Sequence, residues 1–237
     1  MVGSLRRPSG EPPNRRCSRP AKVWIAAAAL VDRLQLNASR LGGSQDFKGN
    51  CLIPLLHTSR LELRPASVEC LRAELQGRPA LARALGLEVP ASWPPQFYDQ
   101  DAIQYTLTWL LGHSAEADWG LYYLVRRAAP SIIPALIGAG GFKGAPDPVG
   151  TVEVGYSVLP EYQRQGYASE ALAGWVEFAF ASGRVACVIG HTLTSLGASI
   201  KVLERAGFEC VGPGHDPGAP DGEQVVRYEL LRPVAQP

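Results

Sequence analysis

The chain has 237 residues, 46% of them hydrophobic and 19% charged, with 23 Lys+Arg against 22 Asp+Glu and a formal net charge of +1. That length suits one well-packed core plus an appendage. Near-neutral charge argues against a dedicated nucleic-acid binder, and no apolar run is long enough to span a bilayer, so neither nucleic acid nor membrane is expected as a partner. The five cysteines (Cys17, Cys51, Cys70, Cys187, Cys210) include no CxxC and no spacing paired with histidine. Disulfide and zinc frameworks are therefore disfavoured, and a reduced, cytoplasmic protein without a metal is expected.

Charge is unevenly spread along the chain. Residues 1–50 hold nine Lys/Arg and three acids, leaving 14 basic and 19 acidic residues for 51–237. Pro, Gly and Arg before Ala21 leave little to bury, so residues 1–50 read as a basic, disordered extension. Within it, Val23 to Arg40 carries a loose helical stripe. A secretory signal would need a less dispersed Arg/Pro content and an earlier apolar centre; an Arg-rich transit peptide and an extension without function are the other two readings. The third is favoured, because the following domain is complete without it.

From residue 51 the pattern is that of a folded domain. Arg60–Arg64 alternates polar and apolar, a strand closed by Pro65. Val68–Leu87 has helical spacing and is expected to split at Pro79. Asp99–Leu111 is a second helix with Asp99 as N-cap. Strands follow at Trp119–Arg126, Ile132–Phe142 and Gly150–Val158. In the last, Val152, Val154, Tyr156 and Val158 face one side and Thr151, Glu153, Gly155 and Ser157 the other. Gly166–Phe180 is the clearest helix. A buried strand at Val185–Ile189, a helix at Ala198–Ala206 and a hairpin of Phe208–Val211 with Val225–Leu231 complete the chain. The order β-α-α-β-β-β-α-β-α-β-β indicates an α/β domain with a mixed sheet.

The segment Val152–Leu172 carries the chemistry. A strand ends, Gln163, Arg164, Gln165 and Gly166 form a short loop, and a long helix starts. Backbone N–H groups and the helix dipole converge there on a small volume that favours an anion, a phosphate or pyrophosphate. Gly166 permits close backbone approach, Ala168 keeps the helix start small, and Arg164 adds a charge-assisted donor. The run Gly138–Gly144 mimics a dinucleotide fingerprint, but Lys143 stands where the third glycine belongs and Ala-Pro-Asp-Pro cannot open the required helix.

The pattern Gln163-x-x-Gly166-x-Ala168, in this setting, resembles the acyl-CoA signature of the GNAT N-acetyltransferase superfamily. Leu56–Pro65, Glu153–Tyr156 and Ala198–Phe208 are similar to the opening strand, central strand and last helix of its RimJ/RimL-type branch. The resemblance covers residues 55–232. It implies a mixed, mostly antiparallel sheet flanked by helices. Two central parallel strands, Thr151–Val158 and Val185–His191, would splay around acetyl-CoA, the cosubstrate. It further implies pyrophosphate contacts along Gln163, Arg164, Gln165, Gly166, Tyr167 and Ala168, and backbone donors near Val158 and Leu159 for the pantetheine arm and thioester oxygen. Glu153 is the candidate base for a primary amine acceptor, and Ser199 the candidate acid for the departing thiolate. Ser199 also suits a first-turn cap, and Glu153 a solvated or ion-paired strand residue. Tyr156 reads as a packing residue; His191, at the end of a central strand, either faces the acceptor pocket or is a satisfied structural histidine, the second being favoured. Trp93, Pro94, Phe97 and Tyr98 either line the acceptor side or pack. Leu196 departs from the asparagine that many relatives carry, placing one cofactor contact in doubt. The expected activity is direct acetyl transfer to a protein N-terminus or small amine by a monomer or homodimer. The alternative is a non-catalytic acyl-CoA sensor or scaffold.

Overall fold

A computed structural model describes residues 55–130, 132–216 and 219–233. The basic extension expected at residues 1–50 lies outside them. The described strands are β1 (Leu56–His57), β2 (Leu61–Pro65), β3 (Leu121–Arg126), β4 (Ala135–Phe142), β5 (Thr151–Val158), β6 (Cys187–Leu193), β7 (Glu209–Pro213) and β8 (Val225–Leu231). They form one sheet in the order β1-β2-β3-β4-β5-β6-β8-β7. Every neighbouring pair is antiparallel except β5 with β6, the mixed sheet the sequence implies. The helices are α1 (Val68–Leu75), α2 (Arg78–Leu85), α3 (Gln100–Gly112), α4 (Tyr167–Ala181) and α5 (Gly197–Arg205).

Two cores form, one on each face of the sheet. Trp175, Leu172 and Leu203 of α4 and α5 meet Val152, Val154 and Tyr122 on one face. Leu71, Leu81 and Leu107 of α1–α3 meet Tyr123 and Leu136 on the other. Strands β3 and β4 are thus covered on both sides, which explains their unbroken apolar runs. The α3 start is as expected: the Asp99 carboxylate accepts from the Ala102 N–H at 3.1 Å.

Some boundaries differ from the sequence reading, for local reasons. The break between α1 and α2 falls at Gly77, whose φ of 115° only glycine adopts readily. Pro79 sits inside the first turn of α2, where its missing N–H costs nothing. The parallel strand expected at Val185–His191 runs two residues later, because the N–H groups of Ala186 and Cys187 both converge on the Gly150 carbonyl (2.7 and 3.1 Å) before the ladder begins.

The glycine run is the centre of β4. A Cβ on Gly140 would lie 2.4 Å from the far edge of the Trp175 indole, so these glycines serve the packing of α4 on the sheet.

Trp93 and Tyr98 pack inward around Glu74, which is 7% exposed. Its carboxylate accepts from Trp93 Nε1 (2.7 Å), Tyr98 OH (3.0 Å) and Tyr123 OH (2.6 Å). Burial pushes the Glu74 carboxyl above its usual range, and the three donors offset only part of that rise. The native state therefore holds this proton more tightly than the unfolded chain. Its contribution to stability is complete below the ordinary carboxylate value of 4.5 and falls as pH rises through the raised native one. Glu74→Gln is expected to flatten this decline, read by urea unfolding at mildly acid and mildly alkaline pH. A variant that loses stability as steeply as the parent would show that Glu74 titrates normally.

Candidate active site

The strands β5 and β6 pair at only three positions: Thr151 with Cys187, Val152 with Val188, and Glu153 with Ile189. Beyond Glu153 the ladder stops, while β5 continues to Val158 and β6 to Leu193. A gap opens in the middle of the sheet at the C-terminal ends of two parallel strands.

Strand alternation decides which backbone groups face that gap. The Glu153 carbonyl accepts from the Lys143 N–H at 3.0 Å, and the Leu159 N–H donates to the Ile137 carbonyl at 2.9 Å, so both turn toward β4. The Gly150 carbonyl turns toward β6. Even-numbered positions therefore face the gap: Val154, Tyr156 and Val158. The Val158 N–H faces the gap. The Leu159 N–H does not, being engaged by Ile137, and the Tyr156 N–H is the other amide on the gap side, because the Val154 N–H belongs to the last rung, Glu153 with Ile189. Gln163 Nε2 donates to the Val158 carbonyl at 2.9 Å, joining the end of β5 to the following loop.

That loop is exposed and tightly turned. After a 3-10 turn at Pro160–Tyr162, Arg164 (φ 59°) and Gly166 (φ 85°) adopt left-handed backbone. Gly166 precedes the first residue of α4 and gives no side-chain cap. The N–H groups of Arg164, Gln165, Gly166, Tyr167 and Ala168 have no acceptor among the described residues. These donors, with the positive end of a 15-residue helix, fit a diphosphate. From Val158 to Glu153 the strand runs about 16 Å at roughly 3.3 Å per residue, a lane for an extended arm between this loop and the fork.

Arg60 braces the loop. Its guanidinium donates to Glu170 Oε2 (2.7 Å) and the Gln165 carbonyl (2.9 Å), and lies 4.5 Å over the Tyr167 ring. Glu170 Oε1 also accepts from Thr58, Ser59 and the Arg60 N–H. Burial raises the Glu170 carboxyl, but the Thr58 and Arg60 bonds outweigh it and hold the group below its usual range. The sequence reading placed Arg60 only in a strand. Its spacing of over 100 residues from the loop hides the partnership.

Side chains at the gap divide between the sheet faces. On one face Glu153 Oε1 accepts from Lys143 Nζ (2.5 Å) and meets His191 Nδ1 (2.8 Å). Burial raises the Glu153 carboxyl, but the Lys143 charge and the His191 bond hold it below the usual carboxylate range. On the other face the Tyr156 hydroxyl lies 3.3 Å from the Ser199 carbonyl and 3.4 Å from Ser199 Oγ. Burial pushes Tyr156 up to about 12. Leu196 occupies the N-cap of α5 and leaves that helix without a side-chain cap. Among the described residues no group of three or more His, Cys, Asp or Glu could hold a metal, and no helix is long and apolar enough to cross a membrane.

A sheet parted between two parallel strands beside a helix start with unpaired amides points to the class. The Acetyltransferase (GNAT) domain profile matches residues 60–209. The chain belongs to the GNAT family and is an N-acetyltransferase that uses acetyl-CoA. It is 27% identical over 154 residues to "Uncharacterized N-acetyltransferase YjdG" of Bacillus subtilis, covering 65% of this chain and 89% of that one. It is 29% identical over 199 residues to the FsC-acetyl coenzyme A-N(2)-transacetylase of Aspergillus fumigatus, covering 76% and 77%. Its fold matches the RimL ribosomal L7/L12 alpha-N-protein acetyltransferase, solved with coenzyme A, at a TM-score of 0.52 and 20% identity over 76% of this chain and 97% of that one.

Proposed function

We propose that the protein moves an acetyl group from acetyl-CoA to a primary amine by direct transfer within a ternary complex. The observation carrying this reading is the end of the β5–β6 ladder at Glu153 and Ile189, beside a loop of free amides. The Gln163–Ala168 loop binds the diphosphate. The Tyr156 and Val158 amides line the pantetheine lane, and one of them reaches the thioester oxygen. A donor fixed at that oxygen stabilises developing negative charge by about 3 kcal/mol in other acyl-transfer enzymes.

Acceptor and thioester meet at the fork, where Glu153 and its partners form the proton-accepting side and Ser199 the proton-donating one. The Tyr156 hydroxyl supports Ser199 at 3.4 Å. A thiolate leaves readily at neutral pH, so the base matters more than the acid. The RimL likeness supports a protein N-terminus as acceptor, and the A. fumigatus relative supports a small-molecule amine. A panel of both kinds, with release of free CoA and product mass, tests the reading. A stable acetyl adduct for at least one amine is expected. Tight acetyl-CoA binding without any product would instead identify a sensor or scaffold.

A further inference from the structure

We propose that His191 is the proton acceptor of the transfer and that Glu153 acts through it as a positioning residue, an inference that rests on the function just given. His191 is the first residue of β6 beyond the fork that faces the same side as Glu153, since Ile189 is the last to pair with β5. Its Nδ1 lies 2.8 Å from Glu153 Oε1. An ionised carboxylate only accepts hydrogen bonds. The neutral ring must therefore carry its proton on Nδ1 and keep the lone pair on Nε2. Among the described residues no group bonds Nε2.

Glu153 is poorly placed to take the proton itself. Its Oε1 already accepts from both Lys143 Nζ and His191, and the ammonium at 2.5 Å keeps it anionic. A carboxylate held in that state is a weak acceptor for an amine proton but a good partner for an imidazolium. The ring is also fixed in place. A Cβ on Gly214 would lie 2.6 Å from His191 Cδ2, so the imidazole rests against bare backbone. The charged groups around it are Glu153 from β5, Lys143 from the turn just after β4, and Arg227 directly opposite on β8. Arg227 is itself paired with Glu229 at 2.7 Å.

In the step, the amine lone pair forms the C–N bond and the C–S bond breaks with its electron pair on sulfur. The nitrogen's proton passes to His191 Nε2. The imidazolium, held by Glu153, later releases it to solvent, and the thiolate takes a proton from water, directly or relayed through the Ser199 hydroxyl, which regains its own from that water.

The test uses the full chain with the best amine from the panel. His191→Gln is expected to lower kcat about a hundredfold or more, the lower bound for a lost general base, and to abolish the rising limb of the pH profile while acetyl-CoA affinity stays unchanged. Glu153→Gln is expected to lose about tenfold or more and keep the limb. Imidazole is expected to restore part of the rate of His191→Gly. Nitrogen NMR of the four histidines, assigned with His191→Gln, is expected to show the Nδ1–H tautomer at His191. A rate within threefold of the parent in His191→Gln, a limb lost in Glu153→Gln alone, or an Nε2–H tautomer overturns the proposal. A parent enzyme that acetylates no amine overturns the underlying function and this proposal together. An active parent whose His191→Gln variant keeps full rate overturns this one alone.

Discussion

Replacing Gly166 with aspartate is expected to weaken acetyl-CoA binding about a hundredfold, or about 2.7 kcal/mol. Two effects combine. The position has φ of 85°, which costs a side-chain-bearing residue roughly 1–2 kcal/mol. A Cβ there would also meet Arg60 Nη2 at 3.3 Å, pressing on the group that braces the loop, and the added carboxylate would repel a diphosphate held by the neighbouring amides. Calorimetry with acetyl-CoA reads the effect. Gly166→Asn separates the causes, because asparagine tolerates left-handed backbone and carries no charge. It is expected to keep most of the affinity. Unchanged binding by the aspartate variant, with circular dichroism like the parent's, would remove the loop from the cosubstrate site.

Gly140→Ala is expected to be strongly damaging for so small a substitution. The new methyl would stand 2.4 Å from Trp175, 2.8 Å from the Gly155 carbonyl, and between fully buried layers. Neither neighbour can retreat, since Trp175 has no exposure and Gly155 lies in the β4–β5 ladder. Overpacking of this kind costs typically 1–3 kcal/mol, and about 3 is expected here. For a domain of this size that lowers Tm by roughly 6–12 °C. Adding Trp175→Phe removes the ring edge that collides and is expected to return part of the loss when scored against Trp175→Phe alone. A double variant as unstable as the sum of the two singles would place the strain elsewhere.

What the sequence made readable was local or strictly periodic. Asp99 caps α3 through a residue three positions away, and the alternation along Thr151–Val158 needs no knowledge of a neighbour. The loop from Gln163 to Ala168 was equally open, being a single turn whose donors follow from helix geometry. The choice between Leu159 and Tyr156 as a donor into the gap depends on the register of β5 against β4, which no local pattern carries. Glu153 and His191 come from two strands and Lys143 from the turn just after β4, and they meet only because β5 lies between β4 and β6. For the same reason His191, read as structural, stands beside the carboxylate expected to act alone. Glu74 looked like one polar residue on a helix. Its three aromatic donors come from a loop and from β3, 19 to 49 residues away.

The open stretch of β5 and β6 also bears on endurance in solution. Two ribbons that part company midway leave inner edges without rungs, the kind of surface that invites stray strand addition. An occupant lying in that cleft does the work of a missing strand. At a hundredfold excess over its Kd, a ligand of the native form alone adds about 2.7 kcal/mol. Starvation for coenzyme A would then cost the cell more than turnover, because the catalyst itself would become easier to unfold and to clear.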